Sequence, residues 1–118
     1  MLNRILLIGR LTADPTLRYT PTGKAVANFT LAVDRGRKDA QGNKETDFID
    51  IIVWEKQAEN VSKYVAKGSQ VAVEGRLQIR SYEDQKGNKR KAAEVVASSV
   101  QFLDSKKSAE TDEDDVPF

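Results

Sequence analysis

The chain has 118 residues, 39% of them hydrophobic, and a net charge of +1 from 19 basic and 18 acidic side chains, which is enough for one domain with a modest core. It contains no cysteine and no histidine, which excludes a disulfide framework and a thiolate metal site and removes the commonest general base and the commonest zinc ligand. No apolar run approaches the length of a membrane span, and a strand-like pattern that begins by Asn3 leaves no room for a leader segment, so the expectation is a cytoplasmic protein. The charge is uneven. Six of the 18 acids but only two of the 19 bases lie in residues 104–118, which leaves residues 1–103 at +5 and the tail at −4. A basic body with an acidic tail points toward a polyanionic partner, although +5 is modest for this length.

In chain order, "NRILLIGRL" reads as a long strand bent at Gly9. "TADPTLRYTPTGK", with Pro15, Pro21 and Gly23, is loop and turn around a short extended piece. "AVANFTLAVDR" is a second strand, "GRKDAQGNKE" a hairpin loop, and "TDFIDIIVWE" a third strand. In "KQAENVSKYVAKG" the period changes: Ala58, Val61 and Val65 fall on one helical face, and Gly68 stands where a helix stops. "SQVAVEGRLQIRSY" alternates again and bends at Gly75, "EDQKGNK" is a hairpin turn, and "RKAAEVVASSVQFL" is a last strand. After Leu103 the pattern is lost. Three strands, one helix and two strands, with bend glycines in the first and fourth, is the order of a five-stranded Greek-key OB-fold barrel, an architecture that commonly binds oligonucleotides or oligosaccharides. Another small β-barrel, or a sandwich with one helix, fits the same order. The fold class is therefore all-β with one helix, comprising a domain over 1–104 and a disordered acidic tail over 105–118.

Strand parity assigns faces. Ile49, Ile51 and Val53 form a core face of the third strand, while Phe48, Asp50, Ile52 and Trp54 share the other. In the fourth strand Val71, Val73, Leu77 and Ile79 point one way, and Arg76, Gln78, Arg80 and Tyr82 the other. An outer face alternating cation, amide, cation and aromatic suits single-stranded nucleic acid. Each base offers a π-face worth about 1–3 kcal/mol when stacked on an aromatic ring, and each phosphate calls for a cation that arginine can meet with two hydrogen bonds. Arg35, Arg37, Lys38, Lys86, Lys89, Arg90 and Lys91 lie on loops or loop flanks where they would track a phosphate backbone. Duplex readers usually present a helix, and the helix here carries Glu55, Lys56, Glu59 and Lys63 with no basic stripe. The competing reading is that the outer aromatics pack against a subunit or loop and that the arginines are simply solvated. No catalytic constellation emerges, no cofactor is called for, and the "DEDD" run holds no metal-binding geometry.

The chain resembles the bacterial-type single-stranded-DNA-binding proteins over essentially its whole length. The resemblance rests on "NRILLIGRLTADPTLRYTPTGKAVANFTLAV", "TDFIDIIVWEKQAENVSKYVAKGSQVAVEGRL", "RSYED" and "DDVPF". It implies an OB-fold and a homotetramer. It also implies sequence-tolerant wrapping of single-stranded DNA in replication, recombination and repair by a cytoplasmic, nucleoid-associated protein. The family's stacking aromatics fall on Phe48, Trp54 and Tyr82. Its tail, here Asp112, Glu113, Asp114, Asp115, Val116, Pro117 and Phe118, is expected to dock genome-maintenance enzymes, with the Phe118 ring and carboxylate in a basic-rimmed pocket. Departures are "DRGR" at 34–37 where the family usually has an aromatic, "KRKAA" around Lys91, and a very short linker near Ser105–Thr111. These imply one stacking platform fewer and more reliance on charge. An OB-fold interaction adaptor and a cold-shock-like RNA-binding module are the alternatives.

Overall fold

The computed structural model of the chain describes residues 1–103. The acidic tail, with the residues 112–118 expected to bind partners, lies outside the described residues. Six strands and one helix follow in the order β1 (Ile5–Leu11), β2 (Thr16–Tyr19), β3 (Ala25–Lys38), β4 (Lys44–Trp54), α1 (Glu55–Tyr64), β5 (Gln70–Glu83) and β6 (Lys89–Phe102). The sheet order is β1-β5-β6-β4-β3-β2, and β1 also pairs with β3, which closes β1, β5, β6, β4 and β3 into an OB-like barrel. The short extended piece of the sequence is thus a strand of its own, since β2 adds antiparallel to β3 from Thr16↔Asn28 to Tyr19↔Ala25.

Closure depends on two close approaches. β1 pairs with β5 from Ile5 to Arg10 and passes to β3 at Arg10↔Ala32 and Leu11↔Leu31. At Gly9, beside that transfer, a Cβ would lie 2.3 Å from the Ala32 carbonyl oxygen. Gly75 stands where the β5–β6 register shifts, and a Cβ there would lie 2.2 Å from the Val96 carbonyl oxygen. Only glycine lets the backbones meet this closely. The three hairpin loops share one design. Thr20–Lys24, Asp39–Asn43 and Asp84–Asn88 each close with a backbone bond from the first residue to the fifth and one from the fourth back to the first. The fourth residue is in each case a glycine with positive φ. The expected loop over 36–45 therefore shrinks to Asp39–Asn43.

The barrel interior is filled by Leu11, Ala27, Phe29, Leu31, Ile51, Val53, Val71, Val73 and Val95, with Ala58, Val61 and Val65 sealing it from α1 and the residue after it. That is the helical face read from the sequence. Gln57 ties the helix to β6, donating to the Ser98 carbonyl at 2.8 Å and accepting from the Val100 N–H at 3.1 Å. β3, β5 and β6 have 14 residues each, about 47 Å at the usual rise, so their outer halves run past the barrel as two hairpin arms. Leu77 and Ile79 keep the parity of Val71 and Val73 past the register shift at Gly75, yet both are exposed. Among the described residues no helix is long and apolar enough to cross a membrane.

Candidate nucleic-acid interface

The outer barrel face is assembled by register. β4 and β6 pair in parallel, Asp50↔Glu94 and Ile52↔Val96. β3 adds Asn28 opposite Ile52 and Thr30 opposite Asp50, while β5 adds Arg76 opposite Val96 and Gln78 opposite Glu94. Partners across a ladder share a face. One rung therefore reads Asn28, Ile52, Val96, Arg76 and the next Thr30, Asp50, Glu94, Gln78. Trp54, opposite Val26, follows at one end. It is 40% exposed and flanks a shallow depression lined also by Arg18, Asn28, Ile52, Arg76, Gln78, Arg80, Glu94 and Val96.

At the other end the strands part into the two arms. Phe48, 67% exposed and opposite Ala32, leads onto the β3–β4 arm. Arg80 and then Tyr82, 46% exposed and opposite Arg90, lead onto the β5–β6 arm. The parity reading thus places Phe48, Trp54, Arg76, Arg80 and Tyr82 on one continuous face.

The flanking cations are not all alike. Arg35 donates from Nη2 and Nε to Asp47 Oδ1 at 2.7 and 3.0 Å and lies 3.5 Å from Glu45. The hydrogen bond from Arg35 lowers the Asp47 pKa, and the same bond raises that of Arg35. Arg37 lies 3.8 Å from Glu45. Glu45 and Asp47 share the parity of Ile49, so these ion pairs draw Arg35 and Arg37 toward the side away from Phe48. Lys38 ends β3, opposite Lys44. Lys86 sits in the Asp84–Asn88 turn. Asp84 holds that turn by accepting from the Asn88 and Lys86 N–H groups, each at 2.9 Å. Its pKa is lowered, first by the Asn88 bond and then by Arg90. Lys91 pairs with Ser81 and so projects from the side of the arm opposite Tyr82, whereas Arg90 shares the Tyr82 side.

Sequence reasoning missed Arg18 and Glu94. Arg18 lies opposite Val26 and donates to Asn28 Oδ1 at 2.8 Å. The Thr20–Lys24 turn, recognised as a hairpin, would have put it on this face. Glu94 is an acid buried in the middle of the face, and no local pattern marked it.

The Single-strand binding protein family matches residues 2–103. A protein of Halalkalibacterium halodurans named single-stranded DNA-binding protein is 59% identical over 104 residues, 88% of this chain and 62% of that protein. One of Staphylococcus aureus with the same name is 57% identical over 114 residues, 97% of this chain and 73% of its own length. One of Bacillus cereus is 58% identical over 104 residues, 88% of this chain and 61% of its own length. The chain thus spans between three fifths and three quarters of these relatives. With a barrel of this topology and a match that runs from Leu2 through the end of β6, the chain belongs to the single-strand binding protein family.

Proposed function

We propose that this protein is a non-enzymatic, sequence-tolerant binder of single-stranded DNA. The observation that carries the reading is the outer face shared by Trp54 and Phe48 of β4 with Arg76, Arg80 and Tyr82 of β5. Aromatic rings in the path take bases of any identity, and arginines beside them take phosphates. Family membership and the names of the relatives support the same reading. Arg18 joins this surface, and Lys38 and Lys86 flank it as backbone-tracking cations, whereas Lys91, paired with Ser81, projects from the other side of the β5–β6 arm. Arg35 and Arg37 contribute less, since their charge is balanced by Asp47 and Glu45.

Trp54 is the single tryptophan, so its fluorescence reports on this face directly. It should be quenched to saturation by an oligothymidylate, more weakly by RNA and not by duplex. With a labelled oligonucleotide, Trp54→Ala should lose about 1–3 kcal/mol of affinity while keeping a cooperative thermal melt. Tighter binding of RNA would favour an RNA module. No response to any nucleic acid would favour a protein adaptor.

The same reading includes assembly and partners. Among the described residues one edge of β1 is paired with β5 and the other meets β3 only at Arg10 and Leu11, so the backbone of Leu6–Ile8 has an open edge beside the exposed Leu6 and Ile8 side chains. We read this edge as the place where two copies pair antiparallel, with dimers pairing into a homotetramer. The acidic residues 112–115 and the apolar tip Val116, Pro117 and Phe118 are proposed to engage genome-maintenance enzymes in the cytoplasm, at the nucleoid. Phe118→Ala should abolish capture of those enzymes and leave DNA affinity unchanged, and retention of the enzymes by the variant would sink that part of the reading.

A further inference from the structure

A buried acid is an odd thing to find under a surface meant for a polyanion. The Glu94 side chain is 6% exposed and stands between β4 and β5 at the centre of the outer face. Its Oε1 accepts from Arg80 Nη2 at 3.3 Å and Nε at 3.4 Å, and its Oε2 accepts from Gln78 Nε2 at 3.3 Å. Gln78 Oε1 in turn accepts from Arg76 Nη1 at 3.3 Å. One hydrogen-bonded chain therefore links both arginines of the face through a single carboxylate.

A buried carboxylate without a cation is costly, so Glu94 holds Arg80 in place whenever the protein is folded. Arg80 is nevertheless 57% exposed. Its bonds to Glu94 use Nε and one hydrogen of Nη2, and the remaining guanidinium donors have no partner among the described residues. The guanidinium can therefore keep Glu94 on one edge and meet a phosphate on the other.

We propose that Glu94 is a positioning residue for DNA binding, acting through Arg80 and Gln78 to hold the cations of the face in a preformed array. This rests on the outer face being the single-stranded DNA site. Preformed donors lose less freedom when the ligand arrives, so removing the acid weakens binding even though it removes a negative charge.

That sign is the test. Affinity of the full chain for a labelled oligothymidylate is measured for Glu94→Gln and for Asp50→Asn. Asp50 is the exposed acid paired across from Glu94, and among the described residues its carboxylate accepts only from Thr30 Oγ1, at 3.1 Å. Loss of a repelling charge should tighten binding in Asp50→Asn. Glu94→Gln should weaken it by about three- to tenfold, the range of one coupled hydrogen-bonded contact. In an Arg80→Met background the same Glu94→Gln change should weaken binding less than in the wild type, by only the share that runs through Gln78 to Arg76, and an undiminished effect there would overturn the role of Arg80. Arg80→Lys keeps the charge but cannot hold the acid and a phosphate on separate edges, so it should lose about as much as Arg80→Met, which gives a readout that does not depend on the stability of the Glu94 variant. Equal or tighter binding by Glu94→Gln, or wild-type affinity of Arg80→Lys, overturns the proposal and makes Glu94 a competitor of phosphate or a bystander. If the unmodified protein fails to bind the oligonucleotide, the functional reading itself is what fails.

Discussion

Replacing Gly75 by alanine tests how the barrel closes. The added methyl would lie 2.2 Å from the Val96 carbonyl oxygen, 2.9 Å from the Val96 carbonyl carbon and 2.9 Å from Ala97 Cα. All three obstacles are backbone, so no side chain can rotate out of the way, and β5 and β6 must separate where their register already shifts. Overpacking costs about 1–3 kcal/mol in well-packed sites, and a backbone obstacle belongs at the upper end, near 3. At about 4–8 °C per kcal/mol for a domain of this size, the melting temperature should fall by on the order of 10–20 °C. Gly87→Ala is the control, because no atom lies within 4 Å of a Cβ there and only the φ of +84° penalises a side chain. It should cost about 1 kcal/mol. Both are read by calorimetry at matched protein concentration, since self-association would otherwise shift the midpoint. If Gly75→Ala melts as high as Gly87→Ala, the strands do not meet as closely as described. Arg76 follows Gly75 directly, so the same variant should also bind DNA less tightly.

Three other outcomes follow from the same geometry. Glu55 opens α1 with φ of +60° directly after Trp54, a conformation that glycine adopts without penalty, so Glu55→Gly should raise stability by about 1 kcal/mol in denaturant unfolding, and a lower midpoint would contradict that strain. A charge at the open edge of β1 should block edge pairing, so Ile8→Lys should shift light scattering toward smaller species without loss of secondary structure, and an unchanged mass would move the interface elsewhere. Arg76→Ala should flatten the dependence of log affinity on log salt by about 0.7, one neutralised phosphate, whereas Arg37→Ala, already balanced by Glu45, should change it much less. Equal effects would mean that the Arg37 ion pair opens on binding.

The sequence was most legible where one rule governs a whole segment. A period of two put Ile51 and Val53 inside and Phe48 and Trp54 outside, and the buried and exposed residues of β4 follow it. A lone glycine in a strand marked both bends, because nothing larger fits against Ala32 or Val96. Parity failed to indicate burial at Leu77 and Ile79, since a strand keeps its alternation whether or not another element covers that face, and past Gly75 both side chains are exposed.

What remained hidden depends on register, which one strand cannot supply. Lys91 and Arg90 are neighbours in sequence and equivalent in charge, yet Arg90 pairs with Tyr82 and Lys91 with Ser81, so they stand on opposite sides of one arm. Glu94 sits in "RKAAEVVA", where an acid reads as a solvated surface residue. Its burial follows only from the parallel pairing of β6 with β4, which sets it beside Asp50, and from the antiparallel pairing with β5, which sets it against Gln78 with Arg80 in reach. Composition assigned a net charge to the body as a whole. The pairing decides which of those charges are already spent on a neighbour, as in Arg35 with Asp47, and which still have donors to offer, as in Arg80. The electrostatics of this surface are therefore set first by the strand ladder and only then by the number of charges.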